Sequence, residues 1–372
     1  MSQARLQVSR RQRATPYTKQ VEALGVTGFS IVNHTILPKR FQRSVDEDYW
    51  HLKQHVQIWD VGCQRQVELK GPDAAKLAQL LTARDLRGAV AGQCLYAPLV
   101  DQQGGMLNDP IILKLGEDHF WFSIADADML YWAQGIAYGM GLDLSIDEPD
   151  VWPLALQGPK SDDVLSRVFG DQVRDIPFFG FIHADFHGHD VVIARSGYSL
   201  QGGFELYVDG FELGPRVWEA VWEAGLEFDI APGSPNLIER IEGGLMSLGN
   251  EMTRRDNPLE CGLEKYCELS GEIEFIGLAA LQKVARAGVT RQIRGIRFDG
   301  DACPPCQYPW DLKRGAQTVG YVTSAIWSPR FEQNVALAMV HRECWNPGDK
   351  VTVCCEDGSQ RNGEVTCLPM ED

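Results

Sequence analysis

Two acidic residues, Asp109 and Glu205, stand in contexts that would hold a carboxylate in one direction. Asp109 ends the run GGMLNDP, so it closes a β-prone segment after a Gly-Gly turn, and Pro110 restricts the backbone on its far side. Glu205 lies inside GGFELYV, a run of strand-forming apolar residues. Each is therefore a candidate for acting on a bound molecule.

Each candidate also has an ordinary explanation. An Asp before Pro often bonds its own backbone in a turn, and a Glu on the outer face of a strand is simply solvated. An inward-facing Glu205 would need a donor, because a buried unpaired carboxylate is very costly. The edge of a guanidine-like heterocycle would supply two N–H groups. For Arg240 and Glu242, on a candidate helix, a surface or intrahelical ion pair is the simple alternative.

Aromatic residues are plentiful around these candidates. They are Tyr96, Trp121, Phe122, Trp152, Phe178, Phe179 and Tyr198. Core packing accounts for most residues of this kind. A subset that lines a cavity could hold a sulfonium or quaternary ammonium group by cation–π attraction.

Metal, redox and common cofactor chemistries have weak support. His183, His187 and His189 cluster in HADFHGH without a well-placed carboxylate set, and Cys303 and Cys306 form one isolated pair with metal-ligand spacing. We therefore expect no metal site. The sequence has no nucleophile-elbow serine, phosphate-loop lysine or dinucleotide glycine fingerprint, which argues against the common triad and nucleotide-cofactor enzymes.

Two similar stretches are expected to position the candidates. The runs LKGP at Leu69–Pro72 and LQGP at Leu156–Pro159 each lead from an apolar strand into an amphipathic helix, which suggests a duplicated α/β module. Hairpins are predicted after each helix. They pair Gln93–Val100 with Met106–Asp109, Ile111–Leu115 with Phe120–Ile124, and Asp190–Ser196 with Gly203–Val208.

The predicted secondary structure changes from helical to all-β in the C-terminal part of the chain. Ala231–Gly249 reads as a long helix capped by Ser234, with an apolar stripe at helical spacing. From Thr290 onward, short β-prone runs alternate with turns, as in a β-barrel or sandwich. We expect a core over residues 1–285 and a barrel over residues 286–372.

The bulk composition limits the partners. The 372-residue chain carries 35 Lys and Arg against 51 Asp and Glu, a net charge of −16, which disfavours nucleic acid and anionic membranes but suits a cationic or zwitterionic small molecule. No apolar run is long enough to cross a bilayer, and the basic N-terminus lacks the apolar stretch of a signal peptide, so we expect a cytoplasmic protein. A homodimer is one open alternative for its oligomeric state.

Several of these runs, taken in order, resemble a known family. The motifs GPDAAKLAQLLTARDL, GGMLNDP, GYSLQGGFELYV, ERIEGGLMSLGNEMT and GYVTSAIWSPRFEQNVALAMV are similar to the aminomethyltransferases typified by the glycine cleavage T-protein. Within that family, TPYTKQVEALGV, DYWHLKQHVQIWDV and NEMTRRDNPLECGLEKYC resemble the tetrahydrofolate-dependent dimethylsulfoniopropionate demethylases. The resemblance implies an α+β, three-domain cloverleaf with two interleaved α/β subdomains and a C-terminal β-barrel.

The resemblance also implies a function. Such an enzyme transfers a methyl group from a small sulfonium donor to N-5 of tetrahydrofolate. Asp109 would be the catalytic residue that orients N-5, and Glu205 would bind the pterin edge. Tyr96 and Arg240 would also contact the cofactor. The donor pocket would be formed by Tyr96, Ser123, Trp152, Phe178 and Tyr198.

One hairpin departs from the subfamily pattern. Where the subfamily carries Gly-Trp-Ser-Lys-Gln, this chain has Gly-Tyr-Ser-Leu-Gln at residues 197–201. A different methyl donor, a glycine-type aminomethyl donor or a non-catalytic folate-binding relative are therefore the alternatives. The helix start Ser234-Pro235-Asn236 lacks the arginine of the T-protein pattern, which weighs against T-protein itself.

Overall fold

The computed structural model describes residues 9, 11–124 and 126–371. Of the basic N-terminus, residues 1–8 and 10 lie outside the described residues. The strands are β1 (Gly28–Val32), β2 (Thr35–Arg40), β3 (Val56–Asp60), β4 (Arg65–Lys70), β5 (Gln93–Tyr96), β6 (Leu99–Val100), β7 (Met106–Asn108), β8 (Ile111–Gly116), β9 (His119–Ile124), β10 (Ser145–Asp147), β11 (Val151–Gln157), β12 (Phe181–Phe186), β13 (His189–Ala194), β14 (Gly203–Asp209), β15 (Ile230–Gly233), β16 (Arg291–Phe298), β17 (Trp310–Arg314), β18 (Gln317–Ser328), β19 (Gln333–His341), β20 (Lys350–Cys354) and β21 (Gln360–Thr366).

The helices alternate with these strands in the first three quarters of the chain. They are α1 (Thr18–Ala23), α2 (Val45–Gln54), α3 (Ala74–Leu81), α4 (Met129–Met140), α5 (Ser161–Phe169), α6 (Gly214–Gly225), α7 (Leu237–Gly243) and α8 (Leu278–Ala287), with short 3₁₀ turns at Asp171–Asp175, Leu226–Phe228, Glu264–Tyr266 and Arg342–Cys344.

A five-stranded sheet forms the first α/β unit. Its strand order is β10-β4-β9-β8-β5, and all of its neighbouring strands are antiparallel. Helices α3 and α4 cover it, with Leu77 and Ala133 packing against sheet residues such as Val67 and Phe122. The predicted helix after Gly71-Pro72 is confirmed as α3.

A six-stranded sheet forms the second α/β unit. Its order is β12-β13-β14-β11-β3-β15, and β15 runs parallel to β3. Helices α5 and α6 bury Leu165 and Trp218 against it. Because β3 precedes the strands of the five-stranded sheet and β11 follows them, the two units are interleaved along the chain, as the resemblance implied.

The two sheets face each other through one apolar cluster. Cys94 and Trp121 come from the first sheet, and Phe181 and Tyr207 come from the second. The rings of Trp121 and Tyr207 lie 6.2 Å apart, centroid to centroid. This contact fixes the relative position of β5 and β14, the strands that carry Tyr96 and Glu205.

The C-terminal strands close into a barrel, which confirms the predicted all-β domain. Its order is β16-β19-β18-β17-β20-β21. The register of β18 against β19 shifts between Val322 and Ser324, so Thr323 is an extra residue in the ladder, a β-bulge. Helix α7 lies against β18 and β19, with Ile241 buried beside Val335 and Leu337.

The predicted long helix over Ala231–Gly249 is wrong. Residues Ile230–Gly233 pair with β3 as a strand, and only Leu237–Gly243 is helical. Asn236, not Ser234, caps it, since the Asn236 side chain accepts from the backbone N–H of Ile238 and of Glu239. Gly244 adopts the left-handed conformation and ends the helix there.

One predicted hairpin is also corrected. Gln93–Tyr96 pairs with β8, whereas only Leu99 and Val100 pair with Met106–Asn108. The chain therefore changes partner at Ala97 and Pro98, because Pro98 has no N–H to continue the ladder. The predicted pairs of β8 with β9 and of β13 with β14 are confirmed.

None of the helices in the described part of the chain is both long and apolar enough to span a bilayer.

The glycine of each Gly-Pro helix start is expected to be essential for stability. Gly158 has φ +116°, and a Cβ there would lie 2.4 Å from the His55 carbonyl oxygen. We expect Gly158→Ala to lower the free energy of unfolding by about 3 kcal/mol, from backbone strain plus the clash. Gly141→Ala, at a left-handed position with open space around it, should cost roughly 1 kcal/mol. Chemical denaturation checks both variants, and equal losses would contradict the clash.

Candidate active site

Asp109 follows β7 directly and lies deep in the molecule while keeping part of its surface accessible. The Asn108 side chain accepts from its backbone N–H at 3.0 Å, and the Tyr96 hydroxyl donates to its Oδ2 at 2.9 Å. Burial raises the pKa of Asp109 to about 7, although the Tyr96 bond opposes this rise. The carboxyl group is thus poised to change charge near neutral pH.

Tyr96 is held in its donor role. Burial, and then the Asp109 charge, raise the pKa of the Tyr96 phenol well above its usual range, so it stays protonated. Its ring packs edge-on against Tyr266, with centroids 5.1 Å apart. Arg84 bonds the Tyr96 carbonyl oxygen at 3.0 Å and lies over the Tyr266 ring.

A second group of side chains surrounds Asp109 from other segments. Tyr198, in the loop between β13 and β14, lies with its hydroxyl 2.7 Å from the Met246 carbonyl oxygen and 3.1 Å from that of Leu245. Arg240, on α7, forms a buried ion pair with Glu251 at 2.5 Å. Glu251 adds to the rise that burial causes in the pKa of Asp109. Burial also raises the pKa of the Tyr198 phenol, Arg240 opposes that rise, and Glu251 and Asp109 add to it. The structure therefore brings Tyr96, Tyr198 and Arg240 together near Asp109.

Glu205 lies inside the protein, not on the outer face of its strand. It sits on β14 with only 5% of its surface exposed, opposite Ala155 of β11 and Ala194 of β13. The Ser196 hydroxyl donates to its Oε2 at 2.5 Å, and the Gln64 side chain lies beside it. Burial raises the pKa of Glu205, and these two neutral neighbours only partly offset the effect. The carboxyl group can still accept further N–H donors.

One face of β5 connects the two carboxylates. Cys94 and Tyr96 are two residues apart and so point to the same side of the strand. Tyr96 bonds Asp109, while Glu205 is close enough to Cys94 to add to the rise in the pKa of that thiol. Both carboxylates are therefore neighbours of the same short strand.

The remaining predicted site residues lie at different distances from this centre. Ser123 is buried on β9, accepts from Gln66 Nε2 at 3.2 Å, and neighbours Tyr207, which in turn neighbours Glu205. Trp152 donates from its indole to Asp150 at 2.6 Å and packs on Phe211. Phe178 is 77% exposed. The structure thus places Ser123 near Glu205, with Tyr207 between them. Trp152 instead contacts Asp150 and Phe211, and Phe178 is exposed to solvent.

Glu251 and Tyr266 are the residues of this centre that the sequence reasoning missed. Glu251 belongs to the run NEMT, but nothing in that run shows that the side chain is buried against Arg240. Tyr266 reaches Tyr96 from a segment 170 residues further on, so no local pattern could have placed it. In both cases the signal lies in tertiary contacts.

The histidine and cysteine motifs have other surroundings than the two carboxylates Asp109 and Glu205. His183 Nδ1 is 2.7 Å from Asp190 Oδ2 near the surface, and Cys303 and Cys306 pack against the barrel core. Over residues 9, 11–124 and 126–371, no group of three or more His, Cys, Asp or Glu side chains is arranged to hold a metal ion.

Family models cover nearly the whole chain. The GCVT N-terminal domain matches residues 7–271, and the glycine cleavage T-protein C-terminal barrel domain matches residues 291–372. The chain belongs to the glycine cleavage T-protein family. The family resemblance seen in the sequence motifs is confirmed.

Known relatives agree with this membership. The chain is 50% identical over 350 residues to the dimethylsulfoniopropionate demethylase DmdA of Ruegeria pomeroyi, covering 94% of this chain and 95% of the relative. It is 29% identical to an aminomethyltransferase of Desulfitobacterium hafniense (strain Y51), covering 83% and 85%. The crystal structure of aminomethyltransferase T of the Bartonella henselae glycine cleavage system superposes with a TM-score of 0.86 at 22% identity, covering 96% and 97%. This confirms the T-protein fold with its C-terminal barrel.

The Tyr96–Asp109 bond should be measurable through the charge of Asp109. We expect Tyr96→Phe to raise the pKa of Asp109 by roughly one unit, because the ionised carboxylate loses a donor. A titration of the ¹³C carboxyl signal, assigned by its absence in Asp109→Asn, measures this pKa. Tyr266→Phe keeps the ring stacking and should leave the pKa unchanged. An unaltered pKa in Tyr96→Phe would contradict the bond.

Proposed function

We propose that this member of the T-protein family is a tetrahydrofolate-dependent demethylase that transfers a methyl group from dimethylsulfoniopropionate to N-5 of tetrahydrofolate. The products are methylmercaptopropionate and 5-methyltetrahydrofolate. The 50% identity to a dimethylsulfoniopropionate demethylase over nearly the full length of both chains carries the proposal. The two buried carboxylates supply the chemistry.

Glu205 suits the aminopyrimidine edge of a pterin. Its hydrogen-bonding neighbours, Ser196 and Gln64, are neutral and leave acceptor capacity on the carboxyl group. Two N–H donors in a fork match such a carboxylate and would compensate for its burial. When bound, tetrahydrofolate supplies the nitrogen lone pair that accepts the methyl group.

Asp109 suits a reaction in which positive charge moves from sulfur to nitrogen. The transfer breaks one C–S bond, whose electron pair stays on sulfur, and forms one N–C bond, after which the nitrogen loses its proton. A sulfonium is already activated, so its leaving group needs no acid. The ionised carboxylate of Asp109, aimed by Tyr96 and Asn108, would stabilise the cation and receive that proton. Alignment by the protein can lower such a barrier by roughly 7–11 kcal/mol.

The proposed contact residues differ in how near they lie to the two carboxylates, and so in how well their positions support a contact with the ligands. Tyr96 and Tyr198 adjoin Asp109, so we place them in the donor pocket. Ser123 lies on the Glu205 side, and Arg240 reaches the centre with its charge already compensated by Glu251. Trp152 and Phe178 stay proposed donor contacts that would require a change of partner or of exposure.

The wider assignments follow the same proposal. We propose a cytoplasmic enzyme whose net charge of −16 favours a zwitterionic or cationic donor over polyanions. We also propose a division into a core of residues 1–285 and a barrel of residues 286–372. That boundary falls in the last turn of α8, whose Leu281 packs with the core four residues earlier.

Separating the roles of the two carboxylates is the direct test. We expect Asp109→Ala to lower kcat by about 10²–10⁴-fold while the folate Kd changes little. Glu205→Gln should instead weaken folate binding by roughly tenfold or more, because it replaces an acceptor with a donor. Folate titration and release of methylmercaptopropionate from dimethylsulfoniopropionate measure the two effects.

A matched control and three outcomes complete this test. Glu68→Gln alters a half-buried carboxylate that bonds His119 and Trp121 instead of the centre, so it should leave both readouts near wild type. Folate binding without product in the wild type would favour a different donor or a non-catalytic relative. Absence of folate binding would refute the proposal. Comparable loss of binding and turnover in Asp109→Ala would contradict the role of Asp109.

The pKa of Asp109 predicts the pH dependence. If the ionised form acts, kcat/KM should rise with pH through about 7 and level off above it. The limb in kcat should lie at lower pH, because a bound sulfonium favours the carboxylate. Burial also raises the pKa of Asp60 to about 7, but that group bonds Thr15, so loss of the limb in Asp109→Asn assigns it. A limb that persists in Asp109→Asn would contradict the assignment.

A further inference from the structure

The β-bulge in β18 directs two successive hydroxyl groups toward one carboxylate. In a regular strand, Thr323 and Ser324 would point to opposite faces. At the bulge, however, Thr323 Oγ1 lies 3.3 Å from Glu251 Oε1 and Ser324 Oγ lies 2.5 Å from the same oxygen. Bulges of this kind re-aim side chains, often beside active sites. The barrel thus provides two hydroxyl donors for the Glu251 carboxylate.

Glu251 is fully enclosed where the barrel meets the core. Its side chain has no exposed surface, and its Oε2 accepts from Arg240 Nη1 at 2.5 Å and from the Ser247 backbone N–H at 2.9 Å. Arg240 Nη2 donates to Ser324 Oγ at 2.6 Å. Arg240, Glu251 and Ser324 therefore form a closed triangle, with one corner on the barrel.

The triangle continues to Tyr198. Arg240 Nη1 also lies 3.3 Å from the Leu245 carbonyl oxygen, and the Tyr198 hydroxyl is 3.1 Å from that same oxygen and 2.7 Å from that of Met246. Residues 245–247 are thus held by Arg240 and Glu251 on one side and by Tyr198 on the other. A shift of Glu251 would be transmitted to Tyr198 through this segment.

We infer that Glu251 is a positioning residue through which the bulge of the barrel fixes Arg240 and Tyr198 beside Asp109. The inference rests on the proposed function, because it names the part of the chain that completes the methyl-transfer site. It assigns the barrel a role beyond stability: the core holds only Oε2 of Glu251, through Arg240 and the Ser247 N–H, whereas Thr323 and Ser324 of the barrel hold Oε1.

The charges around Asp109 give this role a distinct signature. The ionisable groups around it are Tyr96 from β5, Tyr198 from the loop before β14, Arg240 from α7 with its partner Glu251, and the Cys261 thiol. Burial is the main cause of the raised pKa of Asp109, and the negative charge of Glu251 adds to the rise. Removing that charge must therefore lower the pKa of Asp109, whereas removing the Tyr96 hydroxyl must raise it.

The same strand offers a matched control. Ser328 donates to Glu242 Oε1 at 2.6 Å, and Tyr49 donates to the other oxygen at 2.7 Å. Glu242, like Glu251, is a buried carboxylate that joins the core to a hydroxyl of β18. Neither Tyr49 nor Ser328 is one of the groups facing Asp109. Ser324→Ala and Ser328→Ala therefore delete equivalent barrel hydroxyls.

The experiment compares these two variants. We expect Ser324→Ala to lower kcat about tenfold or more with little change in folate Kd, and Ser328→Ala to keep kcat within about twofold while lowering the melting temperature similarly. If Ser324→Ala loses only stability, or if both variants lose activity equally, Glu251 serves the fold alone and the inference is overturned. Ser324→Thr, which keeps the hydroxyl, should recover activity.

Glu251→Gln tests the charge separately. The pKa of Asp109, followed through its ¹³C carboxyl signal, should fall, because the like charge of Glu251 adds to the rise that burial causes. This readout needs no methyl donor, so it tests the inference even if the wild type shows no turnover with dimethylsulfoniopropionate, a result that would count against the proposed function alone. An unchanged pKa in a folded Glu251→Gln variant would overturn the coupling. If that variant does not fold, the Ser324 and Ser328 pair still decides.

Discussion

A carboxylate buried without donors costs several kcal/mol, and this constraint shapes the centre of the molecule. Asp109, Glu205, Glu242 and Glu251 all lie inside, and each receives hydrogen bonds from a different segment. All of these hydrogen bonds can form only when the two sheets, α7 and the barrel are in their correct relative positions at the same time. The positions of the domains and the geometry of the site are therefore set by the same bonds.

The carboxylates differ in how many hydrogen-bond donors each of them has. Glu251 is saturated by a guanidinium, two hydroxyls and a backbone N–H. Glu205 has only neutral neighbours, and Asp109 has one phenol and an accessible side. Saturated groups maintain the structure, whereas unsaturated ones retain a capacity for ligands. This difference, and not burial itself, distinguishes Asp109 and Glu205 as the proposed reacting and binding positions.

Local patterns predicted the parts of the fold that local chemistry decides. The Gly-Pro helix starts at Gly71 and Gly158 were found because glycine and proline restrict the backbone within a few residues. The helix over Ala231–Gly249 was overextended because an apolar stripe says nothing about Gly244 turning left-handed, or about β3 recruiting Ile230–Gly233. Apolar periodicity records burial, which strands and loops can share with helices.

The site followed the same rule. Asp109 could be located because a turn and a proline mark it, and Glu205 because an acid inside an apolar strand is conspicuous. Glu251 carries no such mark. Its burial depends on a bulge more than 70 residues away, so only the folded chain reveals it.

The hairpin that departs from the subfamily pattern shows how such a framework tolerates change. Its flanks are fixed, since Ser199 Oγ donates to Gln157 at 2.7 Å and Gln201 Nε2 donates to Glu239 at 2.5 Å. Leu200, at the tip, is 57% exposed, has φ +56° and packs over Gly243. The tip can therefore vary without disturbing the core. Tyr198 is more constrained, because its hydroxyl joins the segment that Arg240 and Glu251 hold. A change in donor preference at this hairpin would therefore act through position 198, where the subfamily pattern has Trp, while Leu200 stays free to vary.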